Sequence, residues 1–298
     1  MLGRSLLRMV RSTFGRFLAI FAIIALGTGF FIGLRVTRDA MLETADDYLS
    51  GLSFGDFRLV STLGLTEEDA EAFRNEPGVH RAEGAVSTDA LFSTQSGADV
   101  VFHVHSLLPD TNRLDVVSGR LPMASDEIVI DATYFGEDWI GRELKVSDTN
   151  DDDTKDIFAE TRFRVVGTVN SPEYVNFERG STKLGTGSVA GFVYVLPAAF
   201  DTDYYTEIWL SMDGMPPTAT DAYDDAAEAL EDGLKALLEE RGAIRYASLK
   251  NEAEEKVRCT FDLTKQEAAA LCELRCEPKP STAAAQVVRM AIRKGGAR

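Results

Sequence analysis

Between residues 39 and 257 the chain has no cysteine; all three, Cys259, Cys272 and Cys276, fall in the last 40 residues. No disulfide framework holds the body of the protein, so its apolar core must suffice. Cys272 and Cys276 are four apart and would share one helix face. A zinc site needs four ligands and no histidine lies nearby, so incidental cysteines are the better reading.

Positive charge is scarce where most of the chain lies. Residues 1–38 carry six Arg and no acid, and residues 258–298 carry a net +4. The total of −17 therefore leaves −27 on residues 39–257. Such a field excludes nucleic acid and discourages anionic lipid as partners of that region, because phosphate binding needs Lys and Arg.

The common catalytic signatures are also missing. There is no G-x-S-x-G and no H-E-x-x-H. Gly180 to Gly185 opens like a P-loop but is followed by Thr186 where the lysine belongs. Asp148, Asn150 and Asp152 occupy positions 1, 3 and 5 of a calcium-loop pattern, yet Asp153 and Ala159 stand where Gly and Glu are required. A solvated hairpin tip is the better reading of that acidic loop. His103 and His105 point to one face of a strand without a companion cluster, and read as ordinary strand histidines. The sequence thus offers no catalytic, cofactor-binding or metal-binding residue, and a non-enzyme without cofactor is expected.

What is present begins with 18 uncharged residues at 17–34, FLAIFAIIALGTGFFIGL. They reach about 27 Å as a helix, close to the hydrocarbon thickness of a bilayer. Arg4, Arg8, Arg11 and Arg16 precede the run and only Arg35 and Arg38 follow it, which places the N-terminus in the cytoplasm and the main domain outside. Residues 1–16 alternate Arg with Leu, Met and Val, as a helix lying along the inner surface would. A cleaved signal peptide would have a shorter apolar stretch and small residues before its cleavage site, whereas this run ends in bulky Phe30, Phe31, Ile32 and Leu34. Ala25, Gly29 and Gly33 recur every four residues, a small-residue stripe that would admit another helix, from other permease spans or a second copy. Membrane lipid is the other expected partner.

After the span, 36–50 reads as a continuing helix. A strand at 57–60 leads to Thr66, an N-cap followed by Glu67, Glu68 and Asp69 in a near capping box. That helix ends at Pro77-Gly78 and Val79 opens a strand. Late in the chain a strand at 205–212 leads to a helix expected at about 221–241, stopped by Gly242, with Ile244 opening another strand. Strands are expected between them at 100–105, 127–131, 144–147, 161–169 and 189–196. The fold class expected is therefore α+β: a transmembrane helix, then an extracytoplasmic domain in which two strand–helix–strand units of split βαβ type flank a β-rich insert.

Several stretches in order resemble the FtsX/MacB-like ABC transporter permeases. A basic start runs into the first span, RMVRSTFGRFLAIF at 8–21; EPGV at 76–79 ends a helix. SGRLP at 118–122 precedes the acid-led strand DEIVI at 126–130, and FRVVG at 163–167 precedes VYVLP at 193–197. The resemblance implies a membrane subunit of the plasma membrane, worked by a separate ABC ATPase, without catalytic residues of its own. Its domains would be a cytoplasmic segment at 1–16, the span at 17–34, a MacB-core-like domain at 35–257 and an atypical tail at 258–298. The resemblance also implies three further spans. In their place the tail is basic, holds every cysteine, and reads as a helix at 264–276 and then a short basic helix ending at Gly295-Gly296, so a foreign or out-of-frame ending, or a truncated chain, is expected. The alternatives are a single-span binding or sensor module and an anchored enzyme.

Overall fold

In the computed structural model, residues 14–94, 97–218, 220–261 and 293–294 are described. The expected surface helix at 1–16 lies mostly outside them, as does the helix expected at 264–276. The chain divides into two units, Met1–Tyr48 and Leu49–Arg298.

The described residues of the first unit lie in α1 (Phe14–Gly51), a single helix of 38 residues. Among the described residues it is the one helix long and apolar enough to cross a membrane. Its large side chains are exposed all round, including Phe21, Ile23, Leu26 and Phe30. A helix in water would bury one stripe and solvate the other; this one has no polar face over its apolar stretch. The Thr28 hydroxyl donates back to the Ile24 carbonyl at 2.8 Å, which satisfies it without water.

The second unit has two β-layers. The first is a four-stranded antiparallel sheet of β1 (Phe57–Leu65), β2 (Val79–Ala85), β10 (Tyr205–Met212) and β11 (Arg293–Lys294), in the order β11-β1-β10-β2. Two helices, α2 (Glu67–Arg74) and α4 (Asp221–Phe261), contribute to one core with residues of β1, β2 and β10. Phe57 and Leu59 of β1, Ala82 of β2, and Ile208, Leu210 and Met212 of β10 meet Phe73 of α2 and Leu234 and Leu238 of α4 there. The period of two puts Arg58, Glu83, Glu207 and Trp209 on the opposite face. The capping box forms with Asp in the Glu position: Thr66 N–H donates to Asp69 Oδ2 at 2.7 Å and Asp69 N–H to Thr66 Oγ1 at 3.3 Å. Asp69 also accepts from Arg241, tying α2 to α4.

Two expectations for this layer are corrected. Gly242 does not stop α4, and Ile244 is helical rather than the start of a strand. One interior Gly costs about 1 kcal/mol against Ala, which the helix formers at 243–256 outweigh. The strand that closes the second strand–helix unit is β11: Arg293 and Lys294 pair with Arg58 and Phe57 on the open edge of β1 instead of ending a helix.

The β-rich insert lies between β2 and β10, which are neighbours in the sheet. Only Val86 separates β2 from β3 (Ser87–Ser93). The insert continues through β4 (Asp99–Ser106), β5 (Asp115–Gly119), β6 (Glu127–Asp131), β7 (Glu143–Val146), a short helix α3 (Asp152–Asp156), β8 (Arg162–Asn170) and β9 (Gly191–Val195). Pairings run β8-β6-β9-β4-β3-β7, and β7 pairs again with β8, so six strands close into a barrel with β5 attached along the far half of β8. Alternate residues fill it: Ala90 and Phe92, Phe102 and Val104, Ile128 and Ile130, Leu144 and Val146, Phe163 and Val165, Val193 and Val195. Phe158 and Phe200, stacked at 5.6 Å, join the same core.

The acidic loop is not a plain solvated tip. It joins two antiparallel strands, but α3 forms within it, capped by Asp151, and the buried Asn150 side chain exchanges hydrogen bonds with the Leu91 backbone at 2.9 Å. The calcium pattern is not assembled either, since Asp148 pairs with Lys145 and Asp152 with Lys155.

The SGRLP stretch has a structural role. Gly119 has φ +78°, and a Cβ there would lie 2.3 Å from the Val166 carbonyl oxygen. Arg120 then forms a two-pronged ion pair with Glu127, whose carboxylate also accepts from Met123 N–H at 2.9 Å. Those bonds, Arg120 first, hold Glu127 down at about 2. The motif is thus a turn that fastens β5 to the start of β6.

Candidate functional site

The outward face of β6, β8 and β9 carries a small apolar patch of Val129, Val166, Val169, Phe192 and Tyr194, against which Leu107 and Tyr174 pack. Residues 171–179 are fixed by Arg179, whose guanidinium binds the carboxylate of Asp131 and lies 5.3–5.5 Å from the ring centroids of Tyr134, Tyr174 and Phe192. Both partners are almost wholly buried.

Beside this patch the two β-layers meet in a charged cluster. From the four-stranded sheet come Arg58 and Glu207, which form an ion pair, with Trp209 Nε1 donating to Glu207 Oε1 at 3.3 Å. From the barrel come His105 of β4, Tyr194 of β9, and Ser171, Glu173 and Tyr174 of the segment after β8. Tyr194 donates to Glu173 Oε1 at 2.9 Å and shares a 2.8 Å hydroxyl contact with Ser171. Tyr174 hydroxyl meets His105 Nε2 at 2.7 Å, and the His105 ring stacks on Tyr194 at 4.9 Å. His103, adjacent to His105 on the same strand face, pairs with Asp89 of β3.

Burial dominates the electrostatics. It keeps His105 well below the ordinary histidine range, helped by His103 and Arg58, so the imidazole is neutral. It pushes Glu173 up to about 7, and the charge of Glu207 pushes the same way, against the pull of Arg58 and the Tyr194 hydroxyl. Two carboxylates share one guanidinium, so the cluster has one negative charge too many unless a proton stays on it.

One nitrogen of His105 and one oxygen each of Glu173 and Glu207 lie within 4.8 Å of one another, an arrangement that invites a divalent ion. The donors are already engaged, however: Tyr174 on His105, Tyr194 on Glu173, Arg58 on Glu207. An ion would have to displace these partners and sit beside a guanidinium. The arrangement suits a held proton better.

The expectation of ordinary strand histidines without a companion cluster is corrected: Asp89 pairs with His103, and Glu173 and Glu207 lie beside His105. Arg58 and Glu207 carry the signal that was available, since each is a charge inside an otherwise apolar strand pattern. Glu173 gives none, being a loop residue. The stripe of Ala25, Gly29 and Gly33 belongs to α1, where a Cβ on Gly29 or Gly33 would meet open space.

No protein-family model and no curated protein matches the sequence. Among solved structures, the chain is similar to the extracellular domain of the noncanonic ABC-type transporter YknZ from Gram-positive bacteria, at 13% identity and TM-score 0.36, over 57% of this chain and 87% of that one. It is similar also to the periplasmic region of MacB from Actinobacillus actinomycetemcomitans, at 13% identity and TM-score 0.37, over 63% and 86% respectively.

Proposed function

We propose that the chain is a membrane subunit of an FtsX/MacB-like ABC permease, with a cytoplasmic N-terminus, one span in α1 and the Leu49–Arg298 unit outside the plasma membrane. A separate ATPase subunit would supply the free energy, since the chain's own glycine-rich stretch lacks the P-loop lysine. The observation that carries the reading is α1 itself. It is one unbroken helix, Phe14–Gly51, that contains the arginine-flanked apolar stretch. Within the Leu49–Arg298 unit, the Leu52 and Ser53 carbonyls accept from Arg113 and Asn112 N–H at 2.8 and 3.0 Å, which ties them to the segment before β5. The ordered SGRLP, DEIVI, FRVVG and VYVLP stretches support the family; the exposed stripe of Gly29 and Gly33 supports packing against other spans.

The test is purification from native membranes in mild detergent. The expected result is that an ATPase with a complete P-loop co-purifies, and that its hydrolysis rate changes several-fold when this chain is added back. A folded chain recovered repeatedly without any ATPase contradicts the reading and favours a single-span binding module.

A further inference from the structure

The two β-layers of the outer unit meet through a cluster that has more buried negative charge than positive. We propose that a proton on Glu173 is a latch between the four-stranded sheet and the barrel: while it stays the seam is closed, and its loss opens the seam. The groups that face Glu173 come from every element around it. Arg58 on β1 and Glu207 on β10 form the sheet side. His105 on β4 and Tyr194 on β9 form the barrel side, with the His103–Asp89 pair beyond. Ser171, Tyr174 and Asn112 complete it from the adjoining loops, Asn112 Nδ2 lying 3.5 Å from Glu173 Oε1. Glu83 on β2 is occupied in accepting from Thr111 N–H at 2.9 Å.

Besides Arg58, only His103 pulls toward a second carboxylate charge, and its imidazole is already paired with Asp89. His105 is neutral, and the tyrosines and Asn112 offer only dipoles. With Glu173 ionised, the excess charge is relieved by admitting water, which requires the sheet and barrel to part. The sign follows from linkage. A carboxyl whose value is raised from 4.5 to about 7 binds its proton more tightly in the closed state than in the open one. Closure is therefore favoured most below the ordinary value, weakens as pH rises, and levels off above about 7.

The experiment is amide hydrogen exchange on the full chain in detergent, between about pH 5 and about pH 8.5, after correction for intrinsic exchange chemistry. In the wild type, protection of residues 171–174 and 205–209 should fall at least about tenfold across that range. Glu173→Gln, which keeps the shape and removes the charge, should hold protection constant. Tyr194→Phe removes a hydroxyl that favours the ionised form, so the midpoint should move to higher pH. Wild-type and Glu173→Gln profiles that coincide would overturn the latch, and so would a midpoint unmoved in Tyr194→Phe. If Glu173→Gln does not fold, the Tyr194→Phe midpoint decides alone.

Discussion

Replacing Asp131 with alanine should destabilise the outer unit by about 3–5 kcal/mol, because it strands the Arg179 guanidinium in the protein without its carboxylate. Arg179 Nε and Nη2 both reach Asp131, Nη1 donates to the Asn176 carbonyl, and the rings of Tyr134, Tyr174 and Phe192 surround it. The rings attract a cation, but they cannot neutralise it. Asp131 also accepts from Thr133 N–H at 2.9 Å, so a turn is released with it. The double variant Asp131→Ala, Arg179→Met should recover much of the loss, since it removes both charges together. Denaturant unfolding of the two variants checks this; equal losses in both would show that the Arg179 charge is not what makes the single change costly.

Gly119→Ala comes next in expected size. The backbone there is left-handed, which costs an L-residue roughly 1–2 kcal/mol. The new methyl would also meet the Val166 carbonyl oxygen at 2.3 Å and the Gly167 Cα at 2.8 Å. Both are backbone atoms of β8, so relief requires β5 to move off its partner, and forcing extra atoms into close packing adds roughly 1–3 kcal/mol. A total loss of about 2–5 kcal/mol is expected, together with faster proteolysis near Arg120. A thermal melt unchanged from wild type would show that the SGRLP turn does not fasten β5.

The parts of this fold that were legible in the sequence are those that local physics sets. Strands β6 and β10 begin and end where alternation or continuous apolar character places them, at Glu127–Asp131 and Tyr205–Met212. The capping signal at Thr66 and the start of α4 at Asp221 were equally plain. Strand β3 was missed because STDALFS is half polar and only Ala90 and Phe92 turn inward. Strand β5 was missed because nearly all of it is exposed on an edge. The end of α4 was misplaced because Gly242 is only a weak stop inside a long run of helix formers. Barrel closure and the charged cluster were not legible at all. Both depend on pairings between distant segments, such as β7 with β3 and β8, or Arg58 with Glu207 across 149 residues. No local pattern fixes which strands pair, so a charge in an apolar strand marks itself as unusual without naming its partner.

The central claim is that α1 spans the membrane with the Leu49–Arg298 unit outside, and single-cysteine labelling tests it most directly. With Cys259, Cys272 and Cys276 replaced, one cysteine is placed at Ser12, before the span, and another at the exposed Ser181 of the outer unit. In intact cells an impermeant thiol reagent should label Ser181→Cys and leave Ser12→Cys untouched until the membrane is opened. Labelling of Ser12→Cys with Ser181→Cys protected would contradict the orientation, and recovery of either variant from the soluble fraction would contradict the anchor.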